Sequence, residues 1–411
     1  MHGRKKATAP LTPDEAAAIS TKVTTYQKLA TKLLAARSAS SEPSPAIFEL
    51  QAQLLKINPD FYTLWNHRKE MLLAQQHQNS PNRGVNSGGV QSTSGRGCTV
   101  RKLTEKLNPK VLATELELTR QCIRRQPKSY GAWHHRLWIV QGTSRSSSGA
   151  SSSSGDGSRS DSGDADKEET GASVNLDEEL DLCAKFLKAD ERNFHCWAYR
   201  MQVAAMAGCA ASDELDFTRN KVLDNFSNYS AFHYRSRVLE TLPDAGGEAP
   251  CCFGLDIVRE ELDMVVDAAF TEPYDQSAWW YHRFLLDWAD RRTRGAEQHK
   301  SAVEGNSKEE INKGVRDEFL EILRGQVEEL RGLVEIEDQC KWAHITLAQT
   351  IMRLRTALLV REQGKMEDLE KADAGEVVEL NRNLGEHLLR LTQIDPQRAG
   401  FYAAMKEKNG L

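Results

Sequence analysis

Asn58-Pro59-Asp60-Phe61-Tyr62-Thr63-Leu64-Trp65-Asn66-His67-Arg68 reads as the end of one helix and the start of the next. Asn58-Pro59 biases the chain away from the α region and stops the first helix. Tyr62 and Trp65 then share a face of the second helix, with Arg68 one turn further on. The pattern returns as Gln126-Pro127-Lys128-Ser129-Tyr130-Gly131-Ala132-Trp133-His134-His135-Arg136, and as Glu191-Arg192-Asn193-Phe194-His195-Cys196-Trp197-Ala198-Tyr199-Arg200. A fourth copy, Phe226-Ser227-Asn228-Tyr229-Ser230-Ala231-Phe232-His233-Tyr234-Arg235, has Phe in place of Trp. The fifth, Asp275-Gln276-Ser277-Ala278-Trp279-Trp280-Tyr281-His282-Arg283, carries its Arg one residue late.

The aromatic anchors lie 68, 64, 35 and 47 residues apart. Two polar stretches lengthen the first two spacings. Residues 75–98 are rich in Asn, Gly, Ser and Gln, and residues 142–173 form a Ser/Gly tract that turns acidic near Asp161. Neither holds enough apolar surface to offset its ordering entropy, so both are expected to be flexible insertions. Without them the period falls in the mid-thirties, that of helical hairpins stacked into a solenoid. Elsewhere the apolar period is helical: Leu176, Leu180, Cys183 and Leu187 in one segment, Leu255, Val258, Leu262, Val265 and Ala269 in another. Sustained strand alternation is absent, and the fold class expected is all-α. The division expected is an N-terminal segment 1–44, partly helical; first repeats over 45–74 and 99–141; central repeats over 174–289; a charged linker 290–308; and C-terminal helices over 309–411.

Trp65, Arg68, Trp133, Arg136, Trp197, Arg200, Phe232, Arg235 and Trp279 are expected to be inter-repeat packing anchors. A ring and a guanidinium together bury carbon while donating to carbonyls at the end of a neighbouring helix.

The 411 residues carry a net charge of -5 with both signs mixed, which does not favour nucleic-acid binding. No apolar run approaches the roughly 20 residues a membrane span needs, and no apolar stretch follows the basic start to make a secretory signal. The eight cysteines are irregularly spaced with no C-x-x-C pair, as reduced thiols of a cytoplasmic protein would be. A metal site within this chain is not expected: there is no H-E-x-x-H, and His134 and His135, adjacent on a helix, point apart.

The five segments resemble the protein prenyltransferase α-subunit repeat, whose hallmark is Asn-x-x-Tyr-x-x-Trp-x-x-Arg. The flanks Leu64-Trp65-Asn66, Pro127-Lys128-Ser129-Tyr130-Gly131 and Asp181 to Trp197 are similar to the Rab geranylgeranyltransferase type. The resemblance runs from about Pro45 to the C-terminus, without the insertions. It implies a right-handed α-α superhelix, a crescent of helical hairpins, here with neither the immunoglobulin-like nor the leucine-rich-repeat domain that some relatives carry. It also implies a heterodimer with a β subunit that holds the zinc, so that no cofactor lies within this chain. The reaction implied moves geranylgeranyl from geranylgeranyl diphosphate to C-terminal cysteines of Rab GTPases presented by Rab escort protein. Two alternatives stay open: the α subunit shared by farnesyltransferase and geranylgeranyltransferase type I, and a non-enzymatic tetratricopeptide-like scaffold.

In this resemblance Lys128 matches the position that stabilises the diphosphate, with Tyr130 beside it as a phenol donor. Asn193 and His195 fall in the corresponding turn of the third repeat, expected to face substrate, while Phe194 stands where a Tyr is usual. The plain alternatives are a solvated turn lysine for Lys128 and a packing ring for Tyr130. His2, near the N-terminus, is a candidate displaceable ligand to the β-subunit zinc.

Overall fold

A computed structural model describes residues 12–39, 43–78, 107–143, 174–242, 255–299, 307–361 and 371–411. His2 and most of both insertions lie outside the described residues, although the first insertion's opening residues 75–78 and the second's 142–143 are helical. Among the described residues the regular structure is helical, in two compact units that divide between Cys209 and Ala210.

The first unit holds α1 (Pro13–Ala39), α2 (Pro45–Ile57), α3 (Tyr62–Gln78), α4 (Pro109–Arg125), α5 (Tyr130–Thr143), α6 (Leu176–Ala189) and α7 (Phe194–Ala207). Local chemistry sets the starts. Ser44 accepts from the Ile47 amide with Pro45 at the first helical position, and Asn108, Asn175 and Asn193 cap α4, α6 and α7 in the same way. Each hairpin places its second-helix Trp inward, where the indole N–H must find an acceptor. It finds the carbonyl six residues back: Trp65 to Pro59 and Trp133 to Pro127 at 2.8 Å, Trp197 to Glu191 at 2.7 Å. That carbonyl is shared with the following hairpin. Ser129 Oγ donates to the Pro59 oxygen at 2.9 Å, and Asn193 Nδ2 to the Pro127 oxygen at 2.8 Å. One carbonyl thus ties two repeats.

Arginine makes the second tie. Arg68 donates to the Phe48 carbonyl of its own hairpin and, from Nε and Nη2, to Glu115 of the next. Arg136 repeats this with the Leu116 carbonyl and Glu179. Each glutamate is also bonded from its own hairpin, Glu115 by His135 at 2.9 Å and Glu179 by the Tyr199 hydroxyl at 2.7 Å. The expectation that the arginines reach carbonyls at a neighbouring helix end is corrected: they reach carbonyls inside the first helix of their own hairpin and a buried carboxylate of the next. Burial alone would raise the Glu115 pKa, but the bonds from His135 and Arg68 outweigh it and hold the carboxyl at about 2.

Gly131 sits where α5 crosses Trp65. A Cβ there would lie 2.5 Å from Trp65 Cδ1 and 2.8 Å from Nε1, against a ring with almost no exposure. Gly131→Ala is therefore expected to push the indole off the Pro59 carbonyl and to cost about 1–3 kcal/mol, despite the gain in helix propensity. Urea unfolding of the two proteins checks it.

The second unit holds α8 (Ala211–Asp224), α9 (Tyr229–Thr241), α10 (Leu255–Thr271), α11 (Gln276–His299), α12 (Ser307–Ile336), α13 (Lys341–Arg361), α14 (Lys371–Ile394), a 3-10 turn (Pro396–Arg398) and α15 (Ala399–Lys408). The same ties recur. Arg235 bonds the Leu215 carbonyl and Glu261, and Tyr281 donates to Glu261 at 2.6 Å. Trp279 donates to the Pro273 carbonyl at 2.8 Å, while Phe232, without an N–H, packs 5.0 Å from Tyr281. In the fifth hairpin His282 holds the arginine position and bonds Gln326, which holds the glutamate position, at 2.8 Å. A neutral pair has replaced an ionic one.

A sixth, degenerate hairpin follows in α12 and α13. His344 Nε2 lies 2.9 Å from the Asp338 carbonyl six residues back, doing the work of the indole N–H. Cys340 Sγ contacts the Pro273 carbonyl at 3.0 Å, as Ser129 contacts Pro59. The charged linker expected over 290–308 is also corrected. Residues 290–299 continue α11 and α12 begins at Ser307, because Arg, Ala, Glu and Gln are good helix formers even without an apolar stripe.

Burial drives the His282 pKa down to about 4, with the Gln326 bond opposing and Arg353 assisting. The unfolded chain takes that proton near 6.5. Between pH 6.5 and 4 the unfolded state therefore binds more protons, and stability falls as pH falls, by up to about 3 kcal/mol from this residue. His387, also near 4 through burial and the adjacent His344, acts in the same direction. His282→Gln is expected to flatten this loss, read as urea midpoints at pH 7 and pH 5.

Candidate functional site

The turns before α3, α5 and α7 lie side by side in the first unit. Gln126 donates to Asp60 across the first pair at 3.0 Å, and Lys128 Nζ lies 3.2 Å from Asp190 across the second. The first residue of each second helix projects from this edge. Tyr62, Tyr130 and Phe194 are exposed, Tyr130 at 55%. This corrects the packing alternative for Tyr130: three residues on a helix turn the side chain 60° short of a full circle, and at a helix start there is no preceding turn for it to lie against. The rings approach one another, Tyr62 to Tyr130 at 6.3 Å and Tyr130 to His195 at 6.0 Å between centroids.

Three of the four sequence candidates that fall among the described residues therefore meet. Lys128 is 40% exposed, held at the turn by Asp190. Tyr130 stands between Tyr62 and His195, with its hydroxyl available on an open face. His195, half-buried, has its pKa lowered first by burial, with Asp60 opposing and the Lys128 charge assisting, so the imidazole is neutral at pH 7.

Asn193 does not join them. Its side chain is fully buried, with Oδ1 accepting from the Cys196 amide at 3.3 Å and Nδ2 donating to Pro127. The substrate-facing expectation for Asn193 is corrected: both ends of the amide are spent on the cap and on the repeat joint.

Three neighbours escaped the sequence reading. Asp190, the C-cap of α6, is the carboxylate against Lys128. Lys69 Nζ lies 3.1 Å from His134 Nδ1 and 5.3 Å from the Trp138 ring, and burial pulls its pKa down to about 8. His134 stacks on Tyr130 at 5.5 Å, while its neighbour His135 is fully buried on Glu115. The adjacent Tyr130 and His134, four residues apart, were the available signal. Among the described residues no group of three or more His, Cys, Asp or Glu side chains is placed to hold a metal ion. Chemically this edge offers a screened ammonium, a phenol and a neutral imidazole, each able to donate a hydrogen bond to an anion.

Residues 52–75, 112–143, 176–207, 211–242 and 258–289 match the protein prenyltransferase alpha subunit repeat. The chain is similar to the geranylgeranyl transferase type-2 subunit alpha of Mus musculus, 38% identical over 297 residues, covering 71% of this chain and 42% of that protein. The Homo sapiens protein of the same name is 37% identical with the same coverage. That of Schizosaccharomyces pombe is 28% identical, covering 57% of this chain and 62% of its own length. The chain thus spans less than half of the mammalian relatives' length. Among solved structures, a chain of Candida albicans protein geranylgeranyltransferase-I complexed with GGPP aligns with a TM-score of 0.52 over 98% of this chain and 93% of that one. At 16% identity this likeness shows the fold, an all-α superhelix of helical hairpins.

Proposed function

We propose a function from one premise: the chain belongs to the protein prenyltransferase alpha subunit repeat family. It is the α subunit of a heterodimeric geranylgeranyltransferase of the type that modifies Rab GTPases, acting in the cytoplasm. The curated relatives named type-2 subunit alpha support this type over the α subunit shared with farnesyltransferase. The observation that carries the catalytic part is the convergence of Lys128, Tyr130 and His195 on one exposed edge.

In the reaction a cysteine thiolate forms a C–S bond to C1 of the geranylgeranyl group as the C1–O bond breaks. The electron pair leaves with the diphosphate. Charge accumulates on that leaving group, and donors fixed in advance are most effective there. The Lys128–Asp190 pair is more than one-third exposed on both sides, so water screens it and it contributes little to stability. The ammonium exchanges a single carboxylate for the more highly charged diphosphate at small cost. Tyr130 adds a phenol O–H, and neutral His195 adds an N–H without needing a proton from solution.

The zinc for thiolate binding is proposed to lie in the β subunit, as the family resemblance implies. Rab escort protein and the Rab are the further partners of this reading. Co-expression with a type-2 β subunit tests it: a stable one-to-one complex is expected, and a chain that ignores that subunit but binds a type-I β subunit would favour the shared-subunit alternative.

A further inference from the structure

The fifth repeat's late arginine is absorbed by none of the ties between hairpins. One residue on a helix is a rotation of about 100°, so with His282 taking the inside position Arg283 projects from the other side of α11. There it lines a cleft of about 430 Å³ in the second unit, between α11, α12 and α13. Four arginines, Arg283, Arg294, Arg316 and Arg353, line this cleft with two acids, Asp287 and Asp290. Both acids are engaged: Asp287 bonds Arg353 of α13, and Asp290 bonds Arg294 at 3.0 Å. Asp287 lies four residues from Arg283, the ordinary helical partner, yet it is turned to α13. Arg283 is left exposed and, among the described residues, without a carboxylate. The Gln349 amide beside it is likewise uncommitted, and Met352 and Ala357 give the wall carbon surface. The lining holds four arginines against two acids in a chain whose net charge is -5, and Arg316 among them has interactions of its own.

We propose that this cleft binds a small soluble polyanion bearing two or more phosphate groups, with Arg283 as its principal ligand. Guanidinium matches phosphate bidentately, and Arg283 has its donors unspent. The volume exceeds that of one phosphate and suits a phosphorylated ring. The ion pairs of Arg353 and Arg294 fix the walls and set the charge that the ligand neutralises. This site is separate from the donors at Lys128 and does not rest on their role.

The test is calorimetric titration of the full chain with inositol hexakisphosphate, in the natural sequence and in Arg283→Gln, Gln349→Leu and Lys128→Ala variants. One site is expected, weakening with salt, with affinity lowered about tenfold or more by Arg283→Gln and unchanged by Lys128→Ala. Arg283 is exposed and unpaired, so its variant keeps the fold, and circular dichroism checks this. Absence of binding, or binding indifferent to Arg283→Gln, would overturn the proposal. Loss on Lys128→Ala instead would also overturn it, placing the anion at the other edge.

Discussion

Glu179→Ala is expected to destabilise the chain by about 3–5 kcal/mol, a large part of the total stability of an ordinary domain. The carboxylate accepts two bonds from Arg136, at 2.7 and 2.6 Å, and one from the Tyr199 hydroxyl at 2.7 Å. All three side chains are nearly inaccessible to water. Removing the acid leaves a guanidinium buried beside a hydroxyl with no acceptor, and uncompensated burial of charge is the costly step rather than the loss of attraction. Arg136 keeps its bonds to the Leu116 carbonyl and Thr119 hydroxyl, but these are neutral acceptors. Glu179→Ala combined with Arg136→Met removes both charges and is expected to recover a substantial part of the loss. Urea unfolding of the single and double variants measures it. A single variant within about 1 kcal/mol of the natural chain would show that the ladder of ion pairs does not hold the repeats together.

The second large effect is on rate. Lys128→Ala in the heterodimer is expected to lower geranylgeranyl transfer by about 10²–10³-fold, the usual consequence of deleting one preorganised donor to a developing anion. Stability should hardly change, because the ion pair with Asp190 is exposed and screened. The drop belongs in the transfer step more than in substrate binding, since charge on the diphosphate grows as the C–O bond breaks. Lys128→Arg, which keeps the charge, is expected to retain part of the rate. Asp190→Asn, which removes only the resting partner, is expected to leave the rate within a few-fold.

The hairpin array was legible because its signals are local. Asn58-Pro59 ends a helix, Trp65 and Arg68 follow at helical spacing, and the segment recurs. The glutamates that complete the ladder were not legible. Glu115, Glu179 and Glu261 sit on the first helix of each hairpin, twenty residues before the His or Tyr that binds them, and read as ordinary charges on amphipathic helices. The sixth hairpin was hidden because His344 replaces the tryptophan: the imidazole reaches the same carbonyl, but the motif depends on the indole. At the candidate site, the proximity of Tyr130 and His195 followed from their places in neighbouring turns, His195 lying one residue past Phe194, the equivalent of Tyr130. The fate of Asn193 did not. Its side chain serves a carbonyl contributed by Pro127, 66 residues away, and no pattern within its own repeat announces that. The charge of residues 290–299 resembled a linker because it lacks an apolar face, although its Arg, Ala, Glu and Gln residues are good helix formers.

The measurement that tests the central claim most directly is a single-turnover transfer assay. It uses geranylgeranyl diphosphate, a Rab, the escort protein and a type-2 β subunit, with and without this chain. Thioether product is predicted only when both subunits are present, falling by two orders of magnitude or more with Lys128→Ala while the complex stays intact. Product formed at the natural rate by the intact Lys128→Ala heterodimer, or none at all from a stable natural heterodimer, would contradict the account.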